Sequence, residues 1–232
     1  MISTIRHENI IDPREHLHIP LHVVGLGATG SRLAMSLIEL GFTNIKFYDF
    51  DIVESHNLAN QIYGFKDIGV PKTTALERAI EYKLGHIPLG IEFHNQKVKS
   101  VDTGILFLLT DTMESRREIF GYSTNLLHII ETRMASTHGN IHSISPFNKA
   151  DTVKWFATMM SDDTPTDSAE LSPCGTAMTV GPTASIIANM AVWEFINYLL
   201  NQGTATKRAD IFLKPLMIDT GEINHDQIKE AG

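Results

Sequence analysis

The sequence predicts an α/β fold organised around a mostly parallel, doubly wound sheet. Short apolar, β-branched runs alternate with stretches of helical period along the first half of the chain. A G-x-G-x-x-G sits between the first such run and the first such stretch. Ile105-Leu106-Phe107-Leu108-Leu109 is apolar without any polar alternation, as expected for a strand covered on both faces.

The elements follow in order. Residues 1–19 are polar with scattered apolar positions and read as an irregular or helical lead-in. Pro20-Leu21-His22-Val23-Val24 ends at glycine and reads as a buried strand. From Ser31 to Leu40, the residues Leu33, Ala34, Leu37 and Ile38 recur at helical spacing, and Gly41 is a stop signal. Asn44-Ile45-Lys46-Phe47-Tyr48 is the second strand, and a helix from about Lys72 carries Ala75, Leu76, Ala79 and Ile80 on one face. Gly90-Ile91-Glu92-Phe93-His94, the 105–109 run and Leu126-Leu127-His128-Ile129-Ile130 are further strands, with Arg116 on the helix between the last two. This alternation implies right-handed crossovers. After Ala135 the pattern changes. Asn140-Ile141-His142-Ser143-Ile144 alternates like a half-exposed strand, residues 161–170 form an acidic, turn-rich loop, and a long 182–200 helix and a strand at 211–213 follow. We expect one domain over 1–232, with one half over 1–135 and the other over 136–232.

Composition bounds the function. Hydrophobic residues make up 43% and charged residues 20%, as in ordinary globular domains, and the formal charge of −8 argues against nucleic-acid or membrane-surface binding. The N-terminus lacks the apolar core of a secretory signal, and the greasy stretch 177–200 is interrupted by Gly181-Pro182, Asn189, Glu194 and Asn197. A cytoplasmic location is expected. The single cysteine, Cys174, excludes an intramolecular disulfide and a four-cysteine zinc site.

The glycines Gly25, Gly27 and Gly30 point to a nucleotide. In such a loop the first permits a tight turn, the second lets backbone approach a phosphate, and the third allows close helix–strand packing. Asp49 ends the second strand, where a ribose-binding acid belongs. To this point a dinucleotide-dependent oxidoreductase and an ATP-dependent enzyme fit equally well.

Three further features separate the two. Residues 49–61 read Asp49-Phe50-Asp51-Ile52-Val53-Glu54-Ser55-His56-Asn57-Leu58-Ala59-Asn60-Gln61; Lys72 lies in Gly69-Val70-Pro71-Lys72; and Asp111 is followed five residues later by Arg116. These resemble, in order and spacing, the D-x-D-x-V-x-x-S-N-L-x-R-Q, G-x-P-K and D-x-x-x-x-R motifs of the ThiF/MoeB/HesA family of ubiquitin-activating-enzyme-like adenylyltransferases. The resemblance spans about residues 6–220.

That resemblance implies a Rossmann-like sheet continued by further strands, and an enzyme that uses ATP and Mg²⁺ to adenylate a carboxylate. Asp49 would bind the ribose, with Asp51 in the same signature. Asn57 and Gln61 would line the nucleotide site, Lys72 would neutralise the triphosphate, and Asp111 would hold Mg²⁺. Arg6 loosely matches a phosphate-contacting arginine. Cys174, in Pro173-Cys174-Gly175-Thr176, resembles the cysteine before the last long helix of family members, where it would capture the acyl-adenylate; a small buried residue is the alternative. The 136–232 half would serve substrate and dimer contacts, with a crossover loop at about 161–173. The substrate would be the carboxyl terminus of a ubiquitin-like or sulfur-carrier protein, or of a peptide, and the enzyme a homodimer. Two departures stand out: Asn60 replaces the family arginine, with Arg6 or Arg133 as substitutes, and His56 replaces a serine. The cysteine pairs that hold zinc in many members are missing, so no zinc is expected. Loss of the arginine leaves open a catalytically weak, partner-binding subunit of a two-chain activating enzyme.

Overall fold

A computed structural model describes residues 3–161, 180–200 and 207–221. Its strands are β1 (Leu21–Val24), β2 (Ile45–Asp49), β3 (Ile91–Asn95), β4 (Asp102–Leu108), β5 (Thr124–Met134), β6 (His138–Ile144), β7 (Arg208–Leu213) and β8 (Leu216–Gly221). Its α-helices are α1 (Ala28–Leu40), α2 (Lys72–Leu84), α3 (Met113–Tyr122), α4 (Lys149–Ser161) and α5 (Gly181–Leu200). The strands form one sheet in the order β3-β2-β1-β4-β5-β6-β7-β8. Pairing is parallel from β3 to β5 and antiparallel from β5 to β8.

Strand periodicity sends alternate side chains to two cores. Leu21, Val23, Ile45, Phe47, Ile105 and Phe107 face α1, α2 and α5, packing with Leu33, Leu37, Leu76, Ile187 and Phe195. Val24, Tyr48, Leu106, Leu108 and Ile129 face the other way, toward Ile119 of α3 and Trp155 and Met159 of α4. Phe195 joins the first core edge-on to both Phe42 and Phe107, with ring centroids 5.0 and 5.3 Å away. The doubly wound, mostly parallel sheet expected from the sequence is therefore present. No sequence signal described above points to α4 or β8, which the structure adds. Beyond Ser161, the expected crossover loop and Cys174 lie outside the described residues.

This topology fixes where a ligand can bind. The chain leaves β1 toward β2 and leaves β4 toward β5, on opposite sides of the β1–β4 pair. The connections diverge there and open a crevice at the carboxyl ends of those strands.

One buried histidine makes the stability of this fold acid-sensitive. His128 of β5 lies 2.7 Å from Ser143 Oγ and stacks on Tyr198 at a centroid distance of 4.0 Å. Burial pushes its pKa down to about 3 from an ordinary 6.5. The unfolded chain thus binds a proton that the folded chain refuses. Stability is intact above the unfolded value and falls as pH drops between the two, by at most about 1.4 kcal/mol per pH unit. Urea midpoints should fall less steeply for His128→Gln than for wild type between about pH 7 and pH 4; equal slopes would exclude His128 as a source.

Candidate active site

At the end of β1 the chain turns at Gly25, whose φ of 96° belongs to the left-handed region. A Cβ there would stand 2.7 Å from the Leu109 carbonyl oxygen, so the turn is pressed against the end of β4. Gly30 is tighter still, since a Cβ would come within 1.9 Å of the Gly25 oxygen. Gly27 is different: a Cβ on it would meet nothing within 4 Å. Gly27 is also the N-cap of α1 and supplies no side-chain partner for the first amides of the helix. The fold therefore needs glycine at 25 and 30. At 27 it leaves open space over a helix N-terminus, suited to a phosphate approaching the backbone.

Asp49 ties this loop to β2. Its Oδ2 accepts from the Leu26 amide at 2.6 Å and its Oδ1 from the Asp51 amide at 2.8 Å. Burial raises its pKa, while the Lys72 charge and the two amides pull it back down. Tyr63, which the sequence reading passed over, donates to the Leu26 carbonyl at 2.8 Å and braces the loop from the other side. Its burial raises the phenol pKa and keeps it a donor. An aromatic without any motif spacing gives no sequence signal for such a role.

Lys72 opens α2. A bridge from Ile52 to Pro71, with the Lys72 amide donating to the Asp51 carbonyl at 2.9 Å, docks that helix start beside residues 51–53. The buried Lys72 Nζ donates to Asp51 Oδ2 at 2.7 Å, and the Asp51 side chain is 44% exposed. The ammonium is thus held at the site, against a partner that solvent or a ligand can reach. Asn57 is buried and accepts from the Glu54 amide at 2.9 Å, closing a 3-10 turn over Ser55–Ala59. The Gln61 amide donates to the Asn57 carbonyl at 2.9 Å, and Gln61 Oε1 is buried with no hydrogen-bond partner among the described residues.

Asp111 lies two residues past Leu109, the residue pressed against Gly25. It is exposed, and no described residue bonds its carboxylate, so its oxygens are available to a hard divalent cation. Arg116 turns back to donate through Nε to the Thr110 carbonyl at 2.9 Å.

Arg6 is not brought to this group. Its turn packs on the far end of α1, with His7 Nε2 3.1 Å from the Leu40 carbonyl. The 13 residues of α1, at about 1.5 Å each, put that end roughly 20 Å from the glycine loop. Arg133 is engaged by Glu131 Oε1 at 2.9 Å and Thr158 Oγ1 at 2.8 Å. The guanidinium beside Asn60 is instead that of Arg32, whose Nε donates to the Asn60 carbonyl at 3.4 Å.

The glycine geometry separates two substitutions. Gly30→Ala should destabilise the fold severely, because the clash is with backbone. Gly27→Ala should leave the melting temperature within a few degrees of wild type, yet remove the stabilisation that a bound nucleotide gives. Thermal scans with and without ATP read both effects, and an ATP shift that survives in Gly27→Ala would clear Gly27 of a ligand role.

Comparison with solved structures agrees with this architecture. Escherichia coli MccB, solved with AMPCPP and MccA, superposes with a TM-score of 0.67 at 12% identity, over 93% of this chain and 67% of MccB. PaaA superposes with a TM-score of 0.66 at 16% identity, over 91% of this chain and 75% of PaaA. A curated relative, the uncharacterized protein y4qC of Sinorhizobium fredii, is 32% identical over 120 residues, and the match spans 40% of this chain and 21% of that protein. The sequence matches the ThiF family over residues 16–223, nearly the whole of the fold just described, and the chain belongs to that family.

Proposed function

We propose that this protein adenylates the terminal carboxylate of a peptide or small carrier protein at the expense of ATP. The observation that carries the reading is the open space at Gly27 over the uncapped start of α1, with Lys72 and Asp51 at the neighbouring strand end and Asp111 just past β4. Family membership supports it, as does the likeness to MccB, which has been solved with ATP. The substrate class we favour is a ubiquitin-like or sulfur-carrier protein, or a peptide such as the MccA bound by MccB.

In this reading the α1 amides and Lys72 receive the triphosphate, Lys72 exchanging Asp51 for phosphate oxygens. Asp49 is already held by two amides, so it would offer its remaining acceptor capacity to the ribose. Asn57 and Gln61 line the same wall. Asp111 would hold Mg²⁺, which supplies charge neutralisation to the phosphates. A substrate carboxylate oxygen attacks the α-phosphorus, the bond to the β-phosphate oxygen breaks, and pyrophosphate leaves an acyl-adenylate. Two anions must meet, so fixed cations and backbone donors are the catalytic need. Cys174 would act afterwards: its thiolate attacks the acyl carbon, AMP leaves, and a thioester remains.

Homodimerisation is part of the proposal. Ile186, Trp193 and Leu200 recur every seven residues along α5 and stay 38%, 52% and 48% exposed. Such a stripe would be covered by a second copy. In the alternative reading, Asn60 marks a catalytically weak subunit that binds a partner enzyme.

ATP–pyrophosphate exchange with candidate carriers separates the two. Asp111→Ala should lower exchange by about a hundredfold or more while metal-free ATP still binds, whereas Lys72→Ala should impair both. No exchange by the wild type with any carrier, despite ATP binding, would favour the partner-binding subunit. Cys174→Ala should spare exchange and abolish a thiol-sensitive covalent adduct visible by mass spectrometry. If the wild type shows robust exchange without that adduct, Cys174 has no covalent role.

A further inference from the structure

The D-x-x-x-x-R motif contains an arginine to which the adenylation reading gives no task. Arg116, buried on α3, sends Nε and one terminal nitrogen to the same carbonyl, that of Thr110, immediately before Asp111. Its other terminal nitrogen lies against Glu131 Oε1. Glu131 is fully buried on β5, the strand next to β4. Its carboxylate is itself held from several sides. Arg133 Nε donates to Oε1 at 2.9 Å, Trp155 Nε1 donates to Oε2 at 3.2 Å, and His142 Nδ1 stands 2.8 Å from Oε2. Burial, then the Arg133 and Arg208 charges, hold the pKa of His142 well below its usual value, so the ring is neutral and adds no charge.

Among the described residues, none bonds the Asp111 side chain to fix it. Its place is set through backbone: on one side the Leu109 amide donates to the Val24 carbonyl at 2.9 Å, and on the other Arg116 grips Thr110. Ser115, hydrogen-bonded through Oγ to Thr110 Oγ1 at 2.8 Å, closes the same turn. Remove the fork and the turn keeps its ends but loses the anchor next to the carboxylate.

We infer that Arg116 and Glu131 are a positioning pair that holds Asp111 where a metal–triphosphate complex needs it. The inference rests on the adenylation reading, and on this chain's own contacts for the geometry. A lysine at 116 would keep the charge opposite Glu131 but lacks a planar fork to engage Thr110 and Glu131 together. Glu131→Gln keeps the shape of the acceptor and removes its charge.

The test is equilibrium titration of a fluorescent ATP analogue, with and without Mg²⁺, on wild type, Arg116→Lys and Glu131→Gln, with near-ultraviolet circular dichroism to confirm the fold. Metal-free binding should stay within about twofold of wild type, while the tightening by Mg²⁺ should shrink by about tenfold, the usual scale for losing a partner that orients a metal ligand. Full Mg²⁺-dependent tightening in a folded Arg116→Lys or Glu131→Gln overturns the role. So does an equal loss with and without metal, which would mean a collapsed site. If the wild type binds the nucleotide but shows no Mg²⁺ effect, the positioning role falls and nucleotide binding stands. If it binds neither form, the adenylation reading fails first.

Discussion

The candidate site depends on a carboxylate that the protein itself uses. Asp49 accepts two backbone amides, one from the glycine loop and one from the chain leaving β2. It thereby fixes the distance between the two backbone segments that a nucleotide would bridge. Burial alone would favour its neutral form, and the amides with Lys72 counter that. A carboxylate bonded by amides is a stronger acceptor than a neutral acid. Everything else around the crevice hangs from this clamp: Tyr63 presses the loop from beneath, Gly25 abuts β4, and residue 51 presents both its carbonyl and its side chain to α2.

Lys72 shows how such a site keeps a buried charge tolerable without a ligand. An ammonium this buried needs a partner, and Asp51 supplies it at 2.7 Å. Asp51 itself is 44% exposed, so water shares in solvating the pair. The contact holds the Lys72 Nζ in one orientation beside the strand end.

The first half of the fold was legible because its signals are local. Glycine spacing, an apolar central strand and helical periodicity each report on a few adjacent residues, and β1 to β5 with α1 to α3 follow from them. Lys72 and Asp49 were placed by motif, and the structure puts them at neighbouring loop ends. What stayed hidden depends on contacts distant in sequence. Nothing near Glu131 announces that it meets Arg116, Arg133 and Trp155, and Tyr63 has no periodic partner. In α4, the helical state of Trp155, Phe156 and Met159 is decided by packing on the second core. The turn that carries Arg6 lies at the end of α1 away from the loop of its own chain. A short N-terminal motif carries no information about which end of α1 its turn will pack against.

The antiparallel half carries two polar rows across three strands: Glu131, His142 and Arg208 in one, and Arg133, Asn140 and Asp210 in the other. A shift of β6 by one residue would turn this set toward the α5 side and bring Ile141 out of its hydrophobic layer to face charges. The flanking strands are otherwise rich in interchangeable aliphatic residues, for which several alignments would pack almost equally well. Ionic complementarity disfavours those alternatives, both across the short β5–β6 hairpin and where β7 returns to β6 after α4 and α5. Replacing the rows with well-packed aliphatics would leave or even raise stability while relaxing this constraint. The layer thus encodes a unique alignment of β6 and β7 on β5, the strand whose Glu131 stands opposite Leu108 of β4, three residues before Asp111.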